Sequence, residues 1–205
     1  MIWSLLGAGP AIRQGPVLPG PLGTGYAPFM TSLPPLRAVF LDRDGVLNVD
    51  HGYVHDPKAL EWVAGAREAV ARLTMAGLKV ILVTNQSGIG RGYFDEAGMN
   101  RFHDAMQVDL AKLGGRLDAI YFAPHHEDAA LEAYRVADHP DRKPNPGMVL
   151  RGLADFSLRP DEAVLIGDKD TDIEAALRAG VKGFLFPGGD LLAFITRVLA
   201  DRLPH

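Results

Sequence analysis

From residue 37 onward, short apolar runs alternate with longer amphipathic segments. The apolar runs predict strands at 37–42, 79–84, 118–122, 163–167 and 181–186. Each run has too few polar residues for a solvated face, so we expect all five strands to lie in or near the interior of the sheet. The amphipathic segments predict helices at 64–76, 95–113, 146–156, 171–179 and 190–202.

Local signals at the helix ends agree with these bounds. Asp95 is a candidate N-cap, Pro146 a candidate first-turn proline, and Gly180 an end signal. Strands that alternate with helices predict an α/β fold, because helices then cover both faces of a parallel sheet. We expect a Rossmann-like three-layer sandwich with a mainly parallel sheet of five strands or slightly more.

The first 35 residues differ from the rest of the chain. They hold seven of the fifteen prolines and show neither a helical nor an alternating period. We expect residues 1–35 to form a flexible Pro/Gly-rich extension, with Met30 as a candidate start of the protein. No apolar stretch approaches the roughly 18 residues of a membrane span, so no membrane association is expected.

Composition narrows the class of partner. A chain of 205 residues with 47% hydrophobic and 22% charged residues is typical of a single globular domain. A net charge of -4 without a basic stripe argues against nucleic acid and leaves a small molecule as the expected partner. The absence of cysteine excludes disulfides and thiolate zinc sites, and it favours a cytoplasmic location.

Polar side chains follow the first predicted strand. Asp42 and Asp44 are two residues apart, which in a strand places both on one face. Neighbouring carboxylates repel unless a cation lies between them or one is protonated, and phosphoryl transfer uses both conditions. Asp42 is the candidate nucleophile and Asp44 the candidate general acid and base. The alternative is a turn-forming Asp44-Gly45 pair.

Three later fragments supply the remaining chemistry. Asp168 and Asp172, four residues apart where a strand gives way to a helix, suit a hard cation such as Mg²⁺, although helix capping is the alternative. Thr84 offers a hydroxyl to a phosphate oxygen, and Asn85, Gln86, Ser87 and Gly88 after it offer short donors and a flexible backbone. Lys143 offers positive charge to the phosphoryl group that is transferred, and the Arg142 guanidinium can bind a second phosphate or a carboxylate through two hydrogen bonds. The alternative is that both residues lie on a solvated surface loop.

Two other patterns are weaker. The glycines of 88–92 do not complete a dinucleotide or P-loop spacing. His125, His126, His139 and Asp141 offer nitrogen and oxygen ligands, but their spacing closes no compact metal cage. We therefore expect an exposed loop there.

With these fragments in place, residues 37–187 resemble the haloacid dehalogenase superfamily. The similarity is greatest to its heptose bisphosphatase and histidinol-phosphatase subgroup, and five segments carry it: 40–45, 48–55, 83–89, 123–126 and 142–148. The resemblance implies a Mg²⁺-dependent phosphatase domain over residues 36–205 without a large cap domain.

The same resemblance implies roles for individual residues. Asp42 would be the nucleophile and Asp44 the acid/base, while Thr84 and Lys143 would hold the phosphoryl group. The metal would lie among Asp42, Asp44 and Asp168, with Asp172 as a possible outer contact. The residues implied to contact the sugar and its second phosphate are Arg43, Asp50, His51, Gly52, Tyr53, Asn85, Gln86, Ser87, Arg142 and Lys169.

The sequence departs from the subgroup at one loop. Heptose bisphosphatases commonly carry a zinc loop of three cysteines and one histidine. Here Ala123 replaces the first cysteine, His125 matches the histidine, and His139 and Asp141 stand at the other two positions. We expect no zinc, because a site of His125, His139 and Asp141 would be open and weak.

The resulting hypothesis is a monomeric enzyme that hydrolyses a phosphate monoester of a small phosphosugar, above all the 7-phosphate of a heptose 1,7-bisphosphate. Hydrolysis of histidinol phosphate is the enzymatic alternative. A phosphosugar-binding module without turnover is the non-enzymatic alternative.

Overall fold

The computed structural model describes residues 34–203, which form a five-stranded parallel sheet covered on both faces by helices. The strands are β1 (Ala38–Leu41), β2 (Lys79–Asn85), β3 (Ala119–Ala123), β4 (Ala163–Gly167) and β5 (Lys182–Leu185). Their order across the sheet is β3-β2-β1-β4-β5. β1 is therefore central, with Leu41 in register with Leu82 of β2 and Ile166 of β4.

Within residues 34–203, six α-helices connect and follow the strands. They are α1 (Ala66–Met75), α2 (Ser87–Gly90), α3 (Glu96–Ala111), α4 (Gly147–Asp155), α5 (Asp170–Arg178) and α6 (Leu191–Val198). Short 3₁₀ turns occur at Pro57–Ala59, Glu132–Tyr134 and Pro160–Glu162.

The core divides into two parts because successive strand residues point to opposite faces of the sheet. Val39 and Leu41 pack with apolar residues of α1, α3 and α6. Ala38 and Phe40 pack on the other face with residues of α4 and α5. Both faces of the sheet are thus buried, which confirms the predicted three-layer α/β sandwich.

Most helices begin and end within two residues of their predicted bounds. The Asp95 carboxylate accepts from the Gly98 N–H at 2.7 Å and caps α3, and Gly180 follows α5 with φ +73°. Pro146 occupies the N-cap of α4 rather than its first turn. α6 ends at Val198, short of the predicted 202, and the sequence did not predict α2.

One prediction about the strands was wrong. β3 and β5 are the edges of the sheet, and the Lys182 and Leu185 side chains of β5 are exposed. Apolar content alone does not separate an edge strand from an interior one, because an edge strand also packs against helices. Most of the predicted extension, residues 1–33 with Met30, lies outside the described residues.

No helix among residues 34–203 is both long and apolar enough to cross a membrane.

Candidate active site

The strand order places one cavity at the carboxyl ends of the central strands. In open α/β sheets this edge is where ligands bind, next to the point where the strand order reverses. The cavity has a volume of about 370 Å³. Its lining residues are Asp42, Asp44, Asp50, Gly52, Tyr53, Thr84, Asn85, Gln86, Ser87, Gly88, Arg142, Lys143, Lys169, Thr171 and Asp172.

Asp42 is the first residue after β1 and is nearly inaccessible to solvent. Its backbone N–H donates to the Ile166 carbonyl at 3.0 Å, which extends the pairing of β1 with β4 by one residue. Its Oδ1 lies 2.8 Å from Lys143 Nζ. Burial, and to a lesser extent the nearby Asp172 carboxylate, raise the pKa of Asp42 to about 7 against the opposing effect of Lys143.

Lys143 is buried, and both its ammonium group and its backbone have partners in the protein. Its ammonium group contacts the Asp42 and Asp172 carboxylates and donates to the Val83 carbonyl at 2.9 Å. Its backbone N–H and carbonyl each form a 3.0 Å hydrogen bond with the Asn85 amide. Burial opposes the charged form, but the two carboxylates outweigh it and raise the pKa of Lys143. The charge is therefore permanent at neutral pH.

Three carboxylates meet beside this lysine. Asp42, Asp168 and Asp172 each offer an oxygen within 4.8 Å of the others. Asp168 Oδ1 is buried without a hydrogen-bond partner, and burial raises the pKa of Asp168. The three carboxylates carry more negative charge than the Lys143 ammonium can balance. Clustered oxygen ligands with such an excess of negative charge fit a hard divalent cation such as Mg²⁺.

Asp172 also performs the capping role that the sequence left open. Its Oδ2 accepts from the Lys169 N–H at 3.1 Å at the start of α5. Its other oxygen faces Lys143. One side chain thus fixes the helix end and the lysine together.

The Asp44 carboxylate lies outside this cluster and has different partners. It accepts from the Arg43 guanidinium, from Asn48 Nδ2 at 3.0 Å and from Gln86 Nε2 at 2.9 Å. Gln86 Nε2 also donates to Thr84 Oγ1 at 2.8 Å. The Asp44 carboxylate is therefore not part of the cluster of Asp42, Asp168 and Asp172, and the contact of Asp44 with a metal stays a prediction. A Cβ on Gly45 would come within 2.3 Å of Asp168 Oδ2, so the chain passes alongside that carboxylate.

Arg43 does not line the cavity. Its side chain is fully buried and points behind Asp44, whereas the sequence predicted contact with substrate. Arg43 lies on the face of the sheet that Val39 and Leu41 occupy, where it contacts Phe102 and His103 of α3. This placement disfavours a direct contact between the Arg43 side chain and a substrate.

The outer part of the cavity is built from loops. Lys169 Nζ lies 3.3 Å from Asp50 Oδ2, and Asp50 Oδ1 accepts from the Gly52 N–H at 3.0 Å. Although burial opposes the shift, these contacts lower the pKa of Asp50. Tyr53, with φ +53°, is exposed and meets the Tyr93 ring edge-on. His51 pairs with Glu61 at 2.7 Å and does not line the cavity.

Arg142 also belongs to this outer part. Its guanidinium donates to the His125 carbonyl at 3.0 Å. Burial and the nearby Arg91 charge lower the pKa of Arg142. A cation held beside another cation favours the arrival of an anionic group.

Sequence reasoning gave no role to one of the lining residues, Thr171, whereas Gly88 was expected to supply flexible backbone beside a phosphate oxygen. A Cβ on Gly88 would come within 2.3 Å of the Phe94 ring, so α2 passes too close to that ring for a larger side chain. Thr171 is the second residue of α5, between Asp168 and Asp172. Its position next to two candidate metal ligands was the available signal.

His125 and His139 pack against each other in the loop that was predicted to be exposed. The His125 and His139 rings stack with centroids 3.4 Å apart, and both are half-buried. His139 Nδ1 accepts from the Asp141 N–H at 3.1 Å, while the Asp141 carboxylate pairs with Arg151. Asp141 and one histidine nitrogen are therefore engaged within the protein.

Comparison with known proteins yields consistent similarities. Residues 141–192 match the HAD-hydrolase-like family. A D-glycero-beta-D-manno-heptose-1,7-bisphosphate 7-phosphatase of Rhodopseudomonas palustris is 42% identical over 84% of this chain and 96% of its own length. The Burkholderia mallei enzyme named for the alpha anomer is 43% identical over 71% of this chain and 76% of its own length.

A solved structure extends the similarity to three dimensions. The D,D-heptose 1,7-bisphosphate phosphatase of B. bronchiseptica, complexed with magnesium and phosphate, superposes with a TM-score of 0.67. It is 35% identical, and the match covers 83% of this chain and 89% of that one.

Proposed function

Because this chain belongs to the HAD-like hydrolase family, among relatives named as heptose bisphosphate phosphatases, we propose that it removes the 7-phosphate from D-glycero-D-manno-heptose 1,7-bisphosphate. One observation carries the proposal most strongly. Asp42, Lys143 and Asp168 converge at the carboxyl ends of β1 and β4, at the inner end of a cavity that accommodates a small molecule.

Asp42 is the nucleophile in this proposal. One of its carboxylate oxygens attacks phosphorus, and the bond from phosphorus to the sugar oxygen breaks. The product is an aspartyl phosphate together with the sugar alcohol. Lys143, 2.8 Å from Asp42, lies where it neutralises charge on the phosphoryl oxygens. Thr84 Oγ1, at the end of β2, is a further donor to those oxygens.

Asp44 transfers the proton in both half-reactions. As an acid it donates to the departing sugar oxygen, and as a base it then takes a proton from the water that attacks phosphorus. The second step releases inorganic phosphate and restores the Asp42 carboxylate. The contacts with Arg43, Asn48 and Gln86 keep the Asp44 carboxylate at the cavity wall.

The residues that would hold Mg²⁺ are Asp42 and Asp168 through their carboxylates and Asp44 through its backbone. The unpartnered Asp168 oxygen and the excess negative charge support this set. Bound Mg²⁺ would offset the charge of the phosphate and keep Asp42 ionised. Asp172, which faces Lys143 and caps α5, is assigned to position that lysine.

The outer loops are proposed to bind the sugar and its second phosphate. Lys169 and Arg142 are cationic groups that line the cavity, and Asp50 and Asn85 offer acceptors and donors for hydroxyl groups. Gly52, Tyr53, Gln86 and Ser87 complete this surface, whereas His51 and the Arg43 side chain do not line it.

A substrate panel tests the proposal. Phosphate release is measured with Mg²⁺ for both anomers of the heptose bisphosphate, histidinol phosphate and simple sugar phosphates. We expect kcat/KM to be highest for a heptose bisphosphate. A higher kcat/KM for histidinol phosphate would show that histidinol phosphate, and not the heptose bisphosphate, is the substrate. Binding without turnover of any compound would favour a phosphosugar-binding module. Both anomers are needed because relatives named for either anomer are similarly identical to this chain.

We also propose that the enzyme is a cytoplasmic monomer without bound zinc. The engaged Asp141 carboxylate and the absence of cysteine support the last point. Light scattering after gel filtration tests the oligomeric state. Elemental analysis of metal that copurifies tests for zinc, and stoichiometric zinc would overturn that part of the proposal.

A further inference from the structure

Arg43 is the largest fully buried side chain of the described residues, and every one of its guanidinium nitrogens has a partner. Nε donates to Asp44 Oδ1 at 3.1 Å, and Nη2 donates to both Asp44 oxygens at 2.9 Å and to the Val54 carbonyl at 2.8 Å. The remaining nitrogen, Nη1, lies 3.4 Å from His103 Nε2. The guanidinium carbon also lies 4.9 Å from the centre of the Phe102 ring.

These contacts connect three separate elements. Asp44 belongs to the turn after β1, Val54 to the loop that borders the cavity, and His103 to the middle of α3. Arg43 therefore links Asp44 to the Val54 loop and to α3, in addition to the contacts of Asp44 with Asn48 and Gln86. Since a guanidinium placed by fewer contacts can rotate, the direction of the Asp44 carboxylate depends on all of them.

The contact between Arg43 and His103 fixes the state of the imidazole. A guanidinium has donors only, so His103 Nε2 accepts, and its proton lies on Nδ1. Burial and the adjacent Arg43 charge lower the pKa of His103 to about 3, which keeps the ring neutral. The other charged group facing the ring, Asp44, acts in the opposite direction and does not outweigh them.

From this arrangement we infer that His103 is a positioning residue for catalysis, which acts through Arg43 to hold Asp44 in the direction required for proton transfer. The inference rests on the proposed function and deepens it, because it adds a residue of α3 that touches neither substrate nor metal. The inference also gives Arg43, which does not line the cavity, a role in the same reaction, namely to hold the Asp44 carboxylate.

The matched variants are His103→Met and His103→Gln. Both side chains are unbranched and similar in size, but only glutamine offers an oxygen to Arg43 Nη1. We expect His103→Met to lower kcat about 3- to 10-fold with KM unchanged, the usual effect of losing one hydrogen bond, and His103→Gln to restore most of the loss. Thermal unfolding of each variant shows whether the two are equally folded.

Leaving-group dependence separates positioning of Asp44 from a general loss of structure. A sugar alcohol needs a proton to depart, whereas para-nitrophenolate departs without one. We therefore expect His103→Met to lower kcat/KM for the best sugar phosphate of the panel several-fold more than for para-nitrophenyl phosphate. Nitrogen chemical shifts from NMR of histidine-labelled protein provide a second test, with His103 expected to carry its proton on Nδ1.

The outcomes are distinct. A wild-type enzyme that hydrolyses no compound of the panel would overturn the proposed function, and this inference with it. An active wild-type enzyme together with equal rates in the two variants, or with equal losses for both leaving groups, would overturn the inference alone. A proton found on His103 Nε2 would do the same, since that nitrogen could not then accept from Arg43.

Discussion

The inner and outer parts of the cavity differ in burial. At the inner part, Lys143 is 3% exposed and has Asp42, Asp172 and the Val83 carbonyl as partners. At the outer part, the Lys169 side chain is 55% exposed and has Asp50 at 3.3 Å and Asp168 at 4.0 Å. Charges act most strongly where water is excluded, so we expect the inner residues to determine rate and the outer ones to determine substrate affinity.

The largest effect is expected from Asp42→Asn. An amide cannot form the phosphoryl ester, so activity should fall below detection in a continuous phosphate-release assay. The substitution preserves size and removes one charge beside Lys143. Activity near the wild-type rate would exclude Asp42 as the nucleophile.

Lys143→Ala is expected to lower kcat about 10²- to 10³-fold, as for the loss of one preorganised charge-stabilising donor. The measurement is steady-state kinetics at saturating Mg²⁺. Lys143→Arg serves as the control that keeps the charge but changes its geometry. A change confined to KM would show that Lys143 acts in substrate binding, and it would contradict the expectation that the inner residues of the cavity determine the rate.

The pKa of Asp42 predicts a pH-dependent affinity for Mg²⁺. In the metal-free protein this carboxyl titrates near pH 7, far above its ordinary 3.8, so the folded state holds a proton that the unfolded state has lost. The stability from this proton is present at low pH and is lost as the pH rises through about 7. Mg²⁺ needs the ionised form, so its affinity should rise with pH over the same range.

Calorimetric titration and thermal unfolding measure this dependence. Mg²⁺ should bind up to about tenfold more weakly for each pH unit below 7, and it should raise Tm more at about pH 8 than at about pH 6. Asp42→Asn is the control that should flatten the dependence. A pH-independent affinity in the wild type would contradict the assignment of Asp42 as a ligand.

The smallest effect is expected at the outer part. Lys169→Ala should raise KM for the bisphosphate about tenfold or less and leave kcat nearly unchanged, because the group is exposed and its charge is screened. Lys58→Ala, an exposed lysine that does not line the cavity, is the control for the loss of one charge. Equal KM values for these two variants would remove Lys169 from the substrate surface.

The inner part of the cavity was predictable from sequence for a topological reason. Carboxyl ends of adjacent parallel strands lie at one edge, so residues as distant in the chain as Asp42 and Asp168 had to meet there. Alternation with Val39 and Leu41 was the available signal for the direction of Arg43, which packs on Phe102 of α3 beside the turn that follows β1. His103 gave no signal, since its role depends on where α3 packs against that turn. The stacked His125 and His139 rings likewise arise from loop packing that spacing does not encode.

The central claim is that the Asp42 carboxylate itself becomes phosphorylated, and acid quenching during turnover tests it most directly. Wild-type enzyme mixed with substrate and Mg²⁺ is quenched before steady state and digested, and its peptides are analysed by mass spectrometry. We predict one phosphoryl group on the peptide that contains Asp42, and none in Asp42→Asn. A phosphoryl group on another residue, or rapid phosphate release without any phosphorylated peptide, would contradict the account.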